Sequence, residues 1–177
     1  VEPRRFMHLL EPGRVKKVFA SIELGGDSLV HFDGRCSGQL GQQGALFVAG
    51  DISASDFAYN RTSVNAFKSY LSLTNRVLRF DGFRLERPEG AAHGSVSLDL
   101  NAKLARVDVV SECDPKAVAR IVNPGLAGKL AQFAFGGPVR ISAEGVFDYG
   151  NFASNDMHAT VSANKVDLHN VLIDEAV

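Results

Sequence analysis

The side chains that most often do chemistry in proteins are scattered through this sequence. Its five histidines fall on different predicted strands and turns, with no pair at metal-ligand spacing: His8, His31, His93, His158 and His169. The two cysteines, Cys36 and Cys113, fit no metal-binding pattern. We interpret them as separately buried thiols, with a disulfide as the alternative. No serine or cysteine lies in a nucleophile-elbow motif, so we predict no metal site and no cofactor.

Acidic residues could in principle supply the paired carboxylates of a glycosidase. The candidates are Glu86, Glu89, Asp99, Asp108 and Glu144. They alternate with apolar residues along predicted strands, which is typical of a solvated sheet face. The glycine-rich residues 37–44 are followed by another predicted strand rather than by the helix of a phosphate-binding loop. We therefore predict that the chain is not an enzyme.

Composition and charge place the chain among ordinary folded domains. It has 177 residues, of which 45% are hydrophobic and 22% charged, so it can form a substantial core and is not a disordered segment. The formal net charge is -1, and lysine and arginine are dispersed. A nucleic-acid-binding surface would need a basic patch, so we predict no nucleic-acid partner.

The ends of the sequence lead to a prediction about domain organisation. The chain begins at Val1, shows no signal-peptide pattern and has no apolar run as long as a membrane span. We expect residues 1–177 to be a single β-rich segment of a longer protein. Any membrane anchor would then lie outside these residues.

The clearest structural pattern is a pair of extended runs joined by a turn. Residues 77–87 are rich in β-branched and aromatic types, residues 88–90 are Pro-Glu-Gly, and residues 95–101 alternate strictly between apolar and polar. This pattern predicts a β-hairpin with one apolar face. In its second arm the apolar residues are Val96, Leu98 and Leu100.

In the first arm of this hairpin the apolar residues change from even-numbered to odd-numbered positions. Leu78 and Phe80 share one parity, whereas Phe83 and Leu85 share the other. In a regular strand the second pair would lie on the wrong face. We therefore predict a β-bulge at Asp81-Gly82, where one extra residue restores the facing.

Similar extended runs recur along most of the chain and predict nine to eleven strands. They cover residues 15–24, 28–36, 45–60, 64–73, 105–113, 139–149, 157–163 and 166–173, with turns at Gly25-Gly26-Asp27 and Thr74-Asn75-Arg76. Connections this short predict antiparallel neighbours, because a parallel pair needs a long crossover.

Two short helices are predicted to interrupt the strand series. Asp114 is a suitable N-cap before Pro115 at the first helical position, and apolar residues follow with helical spacing to residue 122. Residues 126–135 form a second candidate helix. The predicted fold is mainly β, an antiparallel meander curled into a groove or open barrel, with two short helices inserted near residues 115–135.

Strands with one apolar face and one polar face are compatible with two kinds of protein. The apolar faces could pack on each other in a sandwich or closed barrel, which would suit a structural or adhesive domain of a surface or secreted protein. Alternatively, the sheet could curl into an open groove whose apolar lining holds lipid acyl chains. Alternation alone is compatible with both.

Four stretches of the sequence resemble the AsmA-like and TamB-like proteins of the Gram-negative envelope. They are DGFRLERPEGAAHGSVSLDLN, DPKAVARIVNPGLAGKLAQF, GPVRISAEGVFDYGNF and VDLHNVLIDEAV, and the resemblance extends from residue 45 onward. It implies a repeating β-groove protein of the periplasm that is anchored to the inner membrane and carries phospholipid without catalysis. The implied partners are phospholipid or another acyl lipid and adjacent repeats of the same chain.

The resemblance also implies which residues line the groove. These are the apolar positions of the matched strands: Val96, Leu98, Leu100, Ala105, Val107, Val109, Val139, Ile141 and Ala143. On this hypothesis the protein supports phospholipid transport or outer-membrane biogenesis. The chain is short for a lipid bridge, so it would be one segment of a longer one.

Overall fold

The structure is a computed structural model that describes residues 22–38, 46–122, 128, 130, 133–135, 137–148, 155–163, 166–168 and 171–173. These residues form eleven strands and one short helix. In chain order they are β1 (Ile22–Ser37), β2 (Phe47–Tyr59), β3 (Thr62–Thr74), β4 (Val77–Arg87), β5 (Gly90–Asp99), β6 (Leu104–Ser111), α1 (Pro115–Val122), β7 (Phe133–Phe135), β8 (Val139–Asp148), β9 (Asn155–Ala163), β10 (Val166–Leu168) and β11 (Val171–Ile173).

Eight of the strands form one antiparallel meander, as predicted. Its order is β1-β2-β3-β4-β5-β6-β8-β9, so each strand pairs with its neighbours in sequence except where α1 and β7 intervene. A second sheet has the order β11-β10-β7. The large sheet runs from β1 to β9 without closing and is not strongly curled. Mainly antiparallel β structure is therefore confirmed, whereas the strong curl that we predicted is not observed.

Two-residue turns join β2 to β3 and β3 to β4. Asn60 and Arg61 have φ values of 48° and 60°, and Asn75 and Arg76 have values of 51° and 63°. Positive φ at both central residues matches the right-handed twist of the flanking strands, and asparagine tolerates that conformation well. The turn predicted at residues 74–76 is confirmed.

The bulge predicted in the hairpin of β4 and β5 is also confirmed. The pairing of β4 with β5 shifts register between Phe80 and Phe83. Gly82 has a φ of 57°, and its N–H donates to Ser95 Oγ at 3.3 Å. The extra residue places Phe80 and Phe83 on the same face, because it cancels the one-residue change of parity.

The turn predicted at Gly25-Gly26-Asp27 is wrong. These residues lie inside β1, which pairs with β2 both up to Leu24 and again from Leu29. The chain therefore does not reverse; the extra residues form a wide irregularity while the strand keeps its direction. Ser28 Oγ donates to the carbonyl oxygen of Asp56 across this irregularity at 2.5 Å.

The first predicted helix is confirmed with its N-cap. Asp114 Oδ1 accepts a hydrogen bond from the N–H of Lys116 at 2.9 Å, and its carbonyl oxygen accepts from Ala117 at 2.9 Å and Val118 at 3.0 Å. A cap of this kind stabilises a helix by about 1 kcal/mol. The far end of α1 meets the turn before β3, where Asn60 Nδ2 donates to the carbonyl oxygen of Arg120 at 3.4 Å.

The second predicted helix is wrong over its last residues. Within residues 126–135, positions 128 and 130 are helical, but Phe133–Phe135 form β7 and pair with β10. The rings of Phe133 and Phe135 stack 6.4 Å apart and pack against the buried Val139 and Ala163. An alternating Phe-Ala-Phe triplet suits a strand, since its two rings lie on one side. The other predicted positions here lie outside the described residues.

Candidate functional site

One side of the large sheet is apolar from edge to edge. Residues paired directly across antiparallel strands point to the same face, so the register defines rows of neighbours. Two rows cross all eight strands. The first is Gly34, Gly50, Leu71, Phe80, Val96, Val107, Gly145 and Met157, and the second is Val30, Ala54, Phe67, Leu85, Ala92, Ser111, Ile141 and Val161.

A third row extends this surface across seven strands. Its members are Cys36, Val48, Leu73, Leu78, Leu98, Ala105 and Phe147. Further residues lie between the two complete rows. They are Phe32 and Ile52 in β1 and β2, and Phe83, Gly94, Val109, Ala143 and Ala159 in β4 to β9. We call these three rows and the residues between them the apolar face.

The opposite side of the sheet carries the charges. Arginines occupy one row at Arg35, Arg79 and Arg106, and carboxylates occupy the next at Asp33, Asp51, Asp81, Asp108 and Glu144. We call this side the polar face. Leu104, Val110 and Val146 also lie on this side, and so does the buried Val64. The charged residues nevertheless concentrate here, which explains why the acidic residues alternate with apolar ones in the sequence.

The apolar face is only half covered in the described part of the protein. Phe32 is 41% exposed, Met157 39% and Val161 42%, and the largest fully buried side chains, Val64 and Cys113, lie outside this face. A typical core would bury phenylalanine, leucine and isoleucine completely. The best-buried residues here are mostly alanine and valine.

The small sheet covers one corner of the apolar face, at the start of β8 and the end of β9. The small sheet places Phe133 and Phe135 against Val139, Ala163 and Ile141. Among the described residues, this packing does not extend to the centre of the face, where Val96 and Val107 are half-buried. The centre is thus an apolar surface without a described protein partner.

Eight of the nine residues predicted to line a groove share this face. Val96, Leu98, Ala105, Val107, Val109, Ile141 and Ala143 belong to it directly, and Val139, two residues before Ile141 in β8, continues it. Leu100 follows the end of β5, and its N–H donates to the carbonyl oxygen of Arg76 at 3.0 Å. Strand pairing assigns Leu100 to neither face, so its place in the lining stays a prediction.

Sequence reasoning missed the aromatic centre of the face. The ring of Phe67 lies 6.1 Å from that of Phe80, edge to face, and 6.3 Å from that of Phe83, stacked. Aromatic pairs of this geometry contribute about 0.5–1.5 kcal/mol each beyond the area that they bury. The predicted bulge at Gly82 could have indicated this aromatic cluster, because the bulge brings the rings of Phe80 and Phe83 to the same face of β4.

The structure brings two of the carboxylates considered for catalysis directly opposite each other and leaves the others at separate positions. Glu86 and Glu89 form ion pairs with arginines on the same segment, and Asp108 lies opposite Glu144 on the polar face. No group of three or more His, Cys, Asp or Glu residues in the described ranges could hold a metal ion. His8 and His169 lie outside those ranges.

Neither cysteine is part of a disulfide. Cys36 is exposed on β1, which contradicts the interpretation of two buried thiols, and Cys113 is buried next to the N-cap of α1. Burial raises the pKa of the Cys113 thiol, and a hydrogen bond with Ser111 opposes this effect. The strand pattern did not show that Cys36 would lie at the edge of the sheet.

These environments predict different thiol reactivities. We expect Cys36 alone to react with Ellman's reagent in the folded protein at pH 8, because Cys113 is shielded and its thiolate is disfavoured. Denaturation should release the second thiol. The number of thiols that react before and after addition of guanidinium checks this, and rapid native labelling of Cys113 in a Cys36→Ser variant would contradict it.

No helix in the described part of the chain is both long and apolar enough to span a membrane. Comparisons with protein-family models, curated proteins and solved structures found no match to this chain.

Proposed function

We propose that the apolar face binds lipid acyl chains. The protein would be a non-catalytic segment of a Gram-negative cell-envelope protein that supports phospholipid transport or outer-membrane biogenesis. The observation that carries this proposal is the continuous apolar surface across eight strands, whose large side chains remain half-exposed. The resemblance to AsmA-like and TamB-like proteins supports the same function.

The dimensions of the face suit an acyl chain. Adjacent strands lie about 4.8 Å apart, so a row across eight strands is about 34 Å long. One leaflet of a bilayer has a hydrocarbon thickness of about 15 Å, which is half of the roughly 30 Å core. A lipid tail could therefore lie along a row with all its methylenes in contact with apolar side chains.

The chemistry of the face favours acyl chains over polar ligands. Each methylene removed from water stabilises the complex by about 0.8 kcal/mol. The rows offer valine, leucine, phenylalanine and glycine but few hydrogen-bonding side chains, Ser111 being one of them and itself only 2% exposed. Such a surface recognises length and hydrophobicity.

A groove would require more curvature than the described sheet has. Extra residues increase the local twist at two places, the irregularity between Leu24 and Leu29 of β1 and the bulge at Gly82 of β4, which shifts the register with both β3 and β5. We propose that adjacent repeats of the same chain complete the walls. The full protein would act in the periplasm and be anchored to the inner membrane by a segment outside these residues.

Native mass spectrometry of the purified protein tests lipid binding. We expect phospholipid to co-purify and to be identified by extraction of the protein sample with organic solvent. Delipidated protein should bind a fluorescent phospholipid again. Absence of lipid in both experiments, with the fold intact by circular dichroism, would contradict the proposal.

The second candidate is a structural or adhesive β-sandwich domain of a surface or secreted protein. The observation that favours it is the packing of the small sheet, through Phe133 and Phe135, on one corner of the large one. If further strands covered the whole face in this way, its apolar residues would form a dry core. Complete protection of the face from lipid and from a hydrophobic dye would favour this alternative.

A further inference from the structure

The outer edge of β1 has no strand beside it in the described part of the chain. β1 is the first strand of the large sheet and pairs only with β2. The pairing is continuous from Leu29 to Ser37. Alternate residues of this stretch therefore direct their backbone N–H and C=O groups away from the sheet, and such an edge is a template for another strand.

The side chains of this edge do not discourage strand addition. The stretch from Leu29 to Ser37 contains neither proline nor lysine, the residues that commonly protect sheet edges. Leu29 is 72% exposed, Val30 42% and Phe32 41%. These side chains lack the neighbour that every internal strand provides.

We propose that β1 pairs with β1 of a second copy of this chain, antiparallel and around a two-fold axis at Phe32. The axis is perpendicular to the sheet, so the two copies keep their apolar faces on the same side. The axis must pass through a residue, because even-numbered residues then lie opposite even-numbered ones. An axis between two residues would set apolar residues opposite polar ones.

Aromatic packing and hydrogen bonding select the register. With the axis at Phe32, Phe32 meets its own counterpart, Val30 meets the small Gly34, and Leu29 meets the stem of Arg35. His31 lies opposite Asp33 of the second copy, and symmetry creates this pair twice. Cross-strand aromatic pairs stabilise antiparallel sheets, and an imidazole N–H can donate to a carboxylate.

The neighbouring registers fit less well. An axis at Asp33 would set Asp33 directly against its own counterpart, and like charges directly opposite each other are destabilising. An axis at Gly34 would pair Asp33 with Arg35 but leave Leu29 and Val30 beyond the overlap. The register at Phe32 keeps Leu29, Val30 and Phe32 within the overlap and sets no two like charges directly against each other.

This pairing would join two eight-stranded sheets into one of sixteen strands. The row that ends at Val30 would continue into the row that ends at Gly34 of the second copy, and the row that ends at Gly34 into the one that ends at Val30. The inference concerns the edge of the sheet and does not depend on lipid binding.

Cysteine crosslinking tests the register directly. Directly opposed residues have Cα atoms about 4.5–5.5 Å apart, which is within the range of a disulfide. In a Cys36→Ser background, we expect Phe32→Cys to form a disulfide-linked dimer under mild oxidation by copper phenanthroline. Val30→Cys is the matched control, because its counterpart lies four residues away along the partner strand. Equal crosslinking at positions 30 and 32 would overturn the proposed register.

Charge variants provide a second test without cysteines. The unmodified protein should have about twice the mass of its 19.0 kDa chain in light scattering. His31→Asp should weaken the dimer, and the exchange His31→Asp with Asp33→His should restore it. Arg35→Glu should leave dimerisation intact, whereas a register centred on Gly34 would lose it. A protein that stays monomeric at all concentrations, because residues 1–21 or another partner occupies the edge, would overturn the proposal.

Discussion

Replacing Val107 by aspartate is expected to reduce phospholipid binding at least tenfold. Val107 lies in the middle of a complete row, between Val96 and Gly145, and is half-exposed. A carboxylate there would lose hydration when an acyl chain covers it. Even about 1.4 kcal/mol of that cost lowers the affinity tenfold. Titration of delipidated protein with a fluorescent phospholipid measures the change.

The control for this variant places the same charge on the other side of the sheet. Ser142→Asp introduces one carboxylate at an exposed position of β8, paired with Val110 and Thr160 on the polar face. We expect its lipid affinity to equal that of the unmodified protein. Circular dichroism and thermal melting establish that both variants are folded. Equal affinities of the Val107 and Ser142 variants would remove the support for lipid binding on the apolar face.

Replacing Gly94 by alanine is expected to lower the free energy of unfolding by about 3 kcal/mol or more. Gly94 has a φ of 148°, a conformation that residues with a side chain rarely adopt. A Cβ atom there would also lie 2.0 Å from the carbonyl oxygen of Asp108 in the adjacent strand. Backbone strain and a clash with the sheet itself therefore add together, and β5 would have to move away from β6.

Gly82→Ala separates these two causes. Gly82 also has positive φ, at 57°, but a Cβ atom added there would meet nothing within 4 Å. The expected loss is the conformational cost alone, about 1–2 kcal/mol. Urea denaturation of both variants, with unchanged slopes, gives the comparison. If Gly82→Ala were as destabilising as Gly94→Ala, close packing of β5 on β6 would not be the cause.

Local patterns in the sequence predicted the parts of the fold that depend on nearest neighbours. Alternation identified the strands, the parity change at Phe80 and Phe83 located the bulge, and Asp114-Pro115 located the start of α1. Each of these features is decided within a few residues by backbone geometry. The glycine pair before Asp27 misled the prediction, because glycine suits a bulge in a continuous strand as well as a turn.

Features that depend on distant residues could not be predicted in the same way. The helical spacing of residues 126–135 did not reveal that Phe133–Phe135 would pair with β10. Alternation showed which residues of β5, β6 and β8 share a face, but not that Phe67 of β3 would meet the rings of β4. Likewise, alternation is the same in a flat sheet and in a curled one, so it carried no information about curvature.

The meander order also has a consequence for how the protein folds. From β1 to β6 every strand pairs with the one that precedes it, and three of the turns contain only two residues. Short loops close quickly and with little loss of chain entropy, so these hairpins can form one after another as the chain leaves the ribosome. The pairing of β6 with β8 must wait for the intervening residues 112–138. We expect this step to limit the folding rate, and until it is complete β6 is an exposed edge.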